Sequence, residues 1–220
     1  MPRPRSLDHA QLASAALDVI DRDGLSGLTM RAVAQQLRMS TMAVYRYVQD
    51  RHELEELVLE HVLAGVDTGP PPDSSWQHRL EIMVDRVRAT LGAHPEVIPL
   101  TMTHRHRSPA VLRWSETVLG ILADAGIHGR PRVIALRCLL SYAIGAIQLE
   151  LLGPLAGAGT MTLTELAPAD FPHLSQTARD AQHVDPDAEF REGLALVLAG
   201  LSQQPHATAR CASSPPTDSR

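Results

Sequence analysis

The chain contains no lysine: all twenty of its basic residues are arginine. We read this as the codon usage of a GC-rich genome, and arginine serves phosphate and guanine recognition at least as well. Aromatic residues make up only 3% of the chain, and β-branched alternating runs are scarce, so little in it asks for a sheet. The two cysteines, Cys138 in an apolar run and Cys211 in a polar tail, are far apart, which argues against a structural disulfide and fits a reducing compartment. No stretch reaches the roughly 18–20 uncharged apolar residues that a bilayer span needs. The basic start, MPRPRSLDHAQ, has no apolar run after it, so no secretory signal is expected. No G-x-S-x-G, C-x-x-C, P-loop or H-E-x-x-H pattern occurs, so nothing supports enzymatic chemistry. No internal repeat is visible.

What is present is helical periodicity. Of 220 residues, 44% are hydrophobic and 20% charged, a globular composition with enough apolar material for one large or two small domains. Apolar positions recur at helical spacing over residues 7–23, 50–66, 76–93, 110–126, 132–152 and 186–201. A short helix is expected over 96–102. Asp67–Ser75, with three consecutive prolines, is the clearest linker. The run from Arg132 to Leu152 is apolar nearly all round and should be covered on more than one side. Residues 153–172 read as loop with a short helix around Leu163–Leu166, and 173–182 as weakly helical. Asp185-Pro186 opens the last helix, because proline at the first helical position has no N–H to leave unpaired. The tail is polar and is expected to be disordered. The fold class is all-α, with nine or ten helices.

The most informative stretch is Leu25–Leu54, LSGLTMRAVAQQLRMSTMAVYRYVQDRHEL. Thr29 caps one short helix, Arg38 and Met39 turn the chain, and Ser40 caps a second helix over Thr41–Val48. Ala43, Val44 and Val48 face inward, leaving Thr41, Met42, Tyr45, Arg46 and Tyr47 outward, one tyrosine of the pair packing on the first helix. A short helix held by tertiary packing and displaying hydroxyls and an arginine suits a DNA major groove. The formal charge of −5 looks unfavourable for that role until it is divided. Residues 1–52 hold seven arginines against five aspartates, a net of +2, so the remainder carries −7. A basic reading head on an acidic body is the pattern expected of a DNA module attached to a second function.

This segment resembles the helix-turn-helix of the TetR family of bacterial transcriptional regulators. The resemblance rests on Ala15, Ala16, Leu17 and Ile20 of the opening helix, Gly24, the run Gly27–Arg31, the run Ala43–Val48, and Asp50–Leu54, where the family usually has a lysine at Arg51. Ser75-Trp76-Gln77, Asp170–Leu174, Asp185–Asp187, Phe190 and Gly193-Leu194 are similar to the tetracycline-repressor-type C-terminal domain. The resemblance implies a three-helix DNA-binding head at 1–52, a helical ligand-binding and dimerisation body at 53–203, and a tail at 204–220. It implies a cytoplasmic homodimeric repressor, with no membrane association, released from a palindromic double-stranded DNA operator by a small organic effector. By position, Arg31, Thr41 and Met42 read base edges, and Thr29, Ser40, Tyr45, Tyr47 and Arg51 touch phosphates. Arginine can bond guanine O6 and N7, and methionine can meet a thymine methyl.

The effector candidates are Met83, Val87, Leu91, Met102, His104, Trp114, Val118, Leu139 and Tyr142, with Trp114, Tyr142 and His104 as polar handles. For any one of the apolar residues, plain core is the competing reading. Tetracycline-binding members hold a drug–metal chelate through two histidines and an amide. The matching positions are Val66 or Asp67, Thr101 or Met102, and Met83, so tetracycline–Mg sensing is not expected. His104-x-His106, with His94 nearby, lacks a carboxylate or cysteine at supporting spacing along the chain, and no metal or cofactor is expected. The helices 132–152 and 186–201 are expected to form a four-helix dimer interface that includes Ile144 and Leu198. The competing function is a small-molecule binding or sequestering protein whose head reads no DNA.

Overall fold

The computed structural model describes residues 7–203; the Pro/Arg arm, Cys211 and the tail expected to be disordered lie outside the described residues. Eleven α-helices and no strand occur among the described residues. They are α1 (His9–Asp23), α2 (Met30–Gln36), α3 (Thr41–Val44), α4 (Arg51–Leu63), α5 (Trp76–Gly92), α6 (Ile98–His104), α7 (Pro109–Asp124), α8 (Gly129–Leu152), α9 (Ala158–Thr164), α10 (Pro172–Ala181) and α11 (Pro186–Ser202).

Local chemistry sets most of these boundaries. Asp8 and Gln11 form a reciprocal capping box: Asp8 accepts from the Gln11 N–H at 2.8 Å, and Gln11 accepts from the Asp8 N–H at 3.2 Å. Thr29 accepts from the Ala32 N–H at 3.0 Å and Ser40 from the Ala43 N–H at 3.3 Å. Each such cap contributes about 1 kcal/mol. Gly24 ends α1 at φ +74°, a region a side chain resists, and its N–H donates to Ile20 O at 2.8 Å. Arg38 makes the turn between α2 and α3 at φ +53° without being glycine.

Two hydrophobic clusters hold the helices. The first joins α1, α2, α3 and α4 through Leu12, Ile20, Val33, Val44, Leu54, Val58 and Leu59, and continues into the body through Leu91, Ile98, Leu100, Ala110 and Ile147. The second joins α5, α7, α8 and α11 through Met83, Val84, Val118, Leu122, Leu139, Phe190 and Leu194. Leu54 and Leu59 are fully buried, each contributing about 1.5–3 kcal/mol, so α4 is bound firmly to the head while it extends beneath the body.

Four expectations change. The second helix of the DNA-reading pair stops at Val44; Arg46 and Tyr47 continue in tight i→i+3 turns onto the carbonyls of Ala43 and Val44. The short helix of the 153–172 region lies at Ala158–Thr164, earlier than expected. Helix α8 fully buries only the row Ala135, Leu139, Ala143 and Ile147 within the chain, with Leu136, Leu140, Tyr142, Ile144 and Ala146 partly covered beside it, and leaves Val133, Ile134, Leu149, Leu151 and Leu152 exposed. Ile144 and Leu198 are not on that uncovered surface. Leu198 is in the second cluster, and Ile144 points into a cavity, because the i, i+4 rows through Leu194 and Leu140 face the interior.

Candidate DNA-reading head and effector cavity

The surface around α3 exposes Met42 (75%) and Tyr45 (46%), with Arg31, Thr29, Ser40 and Arg46 also exposed beside them. Thr41 is half-buried at the first position of α3. The two tyrosines divide their tasks. Tyr47 packs on the first cluster and meets His9 edge-on at 6.3 Å, while His9 Nε2 lies 3.2 Å from the Tyr47 carbonyl. Arg51 is occupied inside the protein: Nε donates to Glu55 at 2.7 Å and a terminal N–H to the Leu25 carbonyl at 3.0 Å. It braces α4 against the segment before α2, and 45% of its side chain remains exposed.

Below the head, α4 turns a row of acids toward α6 and α7. Glu55 Oε2 accepts from His104 Nε2 at 2.9 Å, and His104 Nδ1 lies 3.5 Å from Glu56. Burial pushes the Glu55 carboxyl up, but hydrogen bonds from His104 and Arg51 outweigh it and hold it below the ordinary carboxylate value. About one turn on, Glu60 accepts from the Ser108 hydroxyl at 2.6 Å, the Ala110 N–H at 2.8 Å and Arg113 at 3.3 Å. A carboxylate on the first turn of α7 meets both orphan N–H groups and the positive end of the helix dipole.

A cavity of about 360 Å³ lies between α4, α5, α6, α7 and α8. Its walls are mainly apolar, and its size falls in the range of small-molecule sites. Of the nine effector candidates, Val87, Leu91, Met102 and Trp114 line it. Met83, Val118 and Leu139 are instead fully buried in the second cluster, since their helix faces point away from the cavity. His104 is drawn out of the cavity wall by the carboxylates of α4. Tyr142 faces the α8–α11 groove, where its hydroxyl donates to the Phe190 carbonyl at 2.6 Å. Trp114 offers only its ring, because Nε1–H is already donated to the Met83 carbonyl at 2.9 Å.

The polar cavity residues escaped the sequence reading: Arg105 from α6, and Arg137, Ser141 and Gln148 from α8. A signal existed, since 137, 141 and 148 are the polar interruptions of an apolar helix and fall on one helical face. Val66 and Thr101–Met102, the positions that the resemblance sets against chelate-holding residues, line this cavity.

A helix-turn-helix head on a helical body with a mainly apolar, partly open cavity defines a ligand-responsive DNA-binding regulator. Residues 68–204 match the family model described as "Tetracyclin repressor-like, C-terminal domain". The chain belongs to the TetR family of transcriptional regulators. It is 29% identical over 217 residues to the HTH-type transcriptional repressor DrrR1 of Streptomyces coeruleorubidus, covering 91% of this chain and 78% of that one. A solved structure of a possible TetR family transcriptional regulator from Streptomyces coelicolor A3(2) is 31% identical, with a TM-score of 0.77 over 88% of this chain and 98% of that one. Apo ActR from Streptomyces coelicolor is 26% identical, with a TM-score of 0.78 over 90% and 96% of the two chains. ActR has also been solved in complex with actinorhodin, at a TM-score of 0.77 and 25% identity over 90% and 96%.

Proposed function

We propose that this TetR-family regulator is a cytoplasmic homodimeric repressor, with a reading head at 1–52 and a ligand-binding and dimerisation body at 53–203. A mostly apolar organic molecule, bound without a metal in the α4–α8 cavity, releases it from a palindromic operator. The observation that carries the reading is that Leu63 and Val66, at the end of α4 and just beyond it, line the cavity, while Leu54, Val58 and Leu59 of the same helix pack in the head. A ligand that fits only when this wall shifts moves α4, and with it the spacing of two heads that must stand about 34–36 Å apart on DNA. ActR in complex with actinorhodin supports a small organic molecule as the ligand type.

The dimer reading is supported by what α8 and α11 leave uncovered: Val133 (68%), Leu149 (61%), Leu152 (86%) and Leu196 (77%). Helix α8 is long and apolar enough to cross a membrane by length and composition, with only 22% of that stretch buried within the chain. Covering that face with a second copy accounts for it without a bilayer. No catalytic role is assigned to any residue.

Selection of duplexes from a random palindromic pool by the full chain tests the reading. We expect a two-fold symmetric site whose binding weakens steeply with salt. Arg31→Ala should lose about 1–3 kcal/mol of discrimination at a defined base pair in each half-site. Failure to enrich any duplex, with retained binding of an apolar dye in the cavity, would favour the sequestering protein instead.

A further inference from the structure

We propose that His52, Glu55 and His104 form a binding site for one divalent transition-metal ion of the imidazole-preferring kind, with Zn(II) the leading candidate, at the junction of α4 and α6. None of the three residues lines the effector cavity. Each of the three residues offers one ligand atom, and these atoms lie within 4.8 Å of one another. Spacing along the chain hid the site, because the carboxylate that His104 lacks in sequence comes from α4, 49 residues away.

Three observations make this more than a chance cluster. First, His104 is buried (3% exposed) and has a carboxylate on each ring nitrogen, Glu55 at 2.9 Å from Nε2 and Glu56 at 3.5 Å from Nδ1. With a metal on Nε2, the single imidazole proton moves to Nδ1, where Glu56 accepts it. Such a carboxylate behind a metal-bound histidine orients the ring and strengthens the ligand. Second, Arg51 holds Oε1 of Glu55 at 2.7 Å, so Oε2 is left directed at His104. Third, His52 Nδ1 is 3.6 Å from that same Oε2, and the two imidazole rings meet edge-on at 4.8 Å. Zinc–ligand bonds of about 2.0–2.2 Å in tetrahedral array set ligand atoms roughly 3.3–3.5 Å apart, so the His104–Glu55 pair at 2.9 Å parts slightly and His52 closes in by up to about 1.5 Å. His52 is mostly exposed and free to swing the needed distance.

Two imidazoles and one carboxylate favour zinc, cobalt or nickel over magnesium or calcium, which take all-oxygen sets. A fourth position remains open to water. An ion there fastens the start of α4, directly beneath the reading head, to the end of α6, whose Thr101 and Met102 line the cavity. Metal and effector therefore act on the same junction from two sides.

The test is titration of the metal-free full chain with Zn(II) against a chromophoric chelator, and with Co(II) followed by its visible absorption. We expect one ion per chain and a tetrahedral-type cobalt spectrum. Binding should weaken at least tenfold in His52→Ala and Glu55→Gln, and about 10–100-fold in Glu56→Gln. His106→Ala, an exposed neighbour outside the trio, should bind as the parent does. Excess Zn(II) should raise the melting temperature of the parent and not of His52→Ala, whose exposed side chain is dispensable for folding. The proposal is overturned if the parent binds no stoichiometric ion. It is equally overturned if His52→Ala and Glu55→Gln bind as tightly as the parent, which would place the ion on other histidines.

Discussion

Glu60 offers the sharpest test of how the head is joined to the body. Its carboxylate sits on the first turn of α7 and accepts from the Ser108 hydroxyl, the Ala110 N–H and Arg113. Ser108 is buried, and Ala110 is too, so Glu60→Ala leaves a hydroxyl and a backbone N–H short of a partner where water enters poorly. The two bonds share one carboxylate oxygen and are counted together as one hydrogen bond to a charged acceptor, about 1.5–3 kcal/mol, to which the helix dipole adds about 0.3–1 kcal/mol. The Glu60 side chain is 29% exposed and Arg113 56%, so the Arg113 pair is discounted to less than about 1 kcal/mol. Glu60→Ala should therefore destabilise by about 2–4 kcal/mol. Glu60→Gln keeps one acceptor oxygen and should cost about half as much. Arg113→Ala should cost less than about 1 kcal/mol. Urea unfolding of the three variants reads this directly. With a slope near 3 kcal/mol per M, the midpoint of Glu60→Ala falls by about 1 M at unchanged slope. A midpoint within about 0.2 M of the parent would refute the idea that this carboxylate ties α4 to α7.

Two further outcomes are expected. Leu196→Glu changes a side chain that is 77% exposed, so the variant should keep its helicity and melt as a folded chain but sediment as a monomer; a dimer at the same concentration would move the interface off α11. Gly193→Ala should destabilise by about 1–3 kcal/mol, although alanine favours helix, because the added methyl overlaps the Tyr142 ring and hydroxyl. In a Tyr142→Ala background the same change should turn neutral or stabilising, and equal cost in both backgrounds would show that the two residues do not meet.

The parts legible in the sequence are those set by neighbours in the chain. Thr29, Ser40 and Asp185 each cap the helix expected of them, since a cap is made within three residues. The Trp76 helix ends within one residue of its expected limit because His94-Pro95 stops it locally. The length of α3 was not legible. Whether Tyr45–Tyr47 continue an α-helix or tighten into turns depends on where Val44 and Val48 meet α1 and α4, which is a tertiary matter. Among the effector candidates, periodicity identified residues that require cover without identifying what covers them. Met83, Val118 and Leu139 satisfy the same helical pattern as Val87, Leu91 and Trp114, and only packing separates core from cavity wall. Ile144 and Leu198 were assigned to a dimer face for the same reason.

The row of acids on α4 was illegible for a different reason, and it bears on mechanism. Glu55, Glu56 and Glu60 look like the solvated side of an amphipathic helix, yet they carry the polar attachment of that helix to α6 and α7. The same helix packs Leu54, Val58, Leu59 and Val62 into the core, with Leu59 on the arc between Glu55 and Glu56. These two attachments differ in kind. Apolar burial is non-directional and tolerates sliding by a fraction of an ångström, whereas hydrogen bonds at 2.6–2.9 Å lose strength steeply when displaced. A displacement of α6 or α7 by a molecule in the cavity should therefore be passed to α4 mainly through its acids, while its apolar contacts tolerate the small shift. The ligand moves this equilibrium only by as much as it prefers one arrangement of these contacts to the other. By linkage, operator DNA must disfavour the ligand by the same factor.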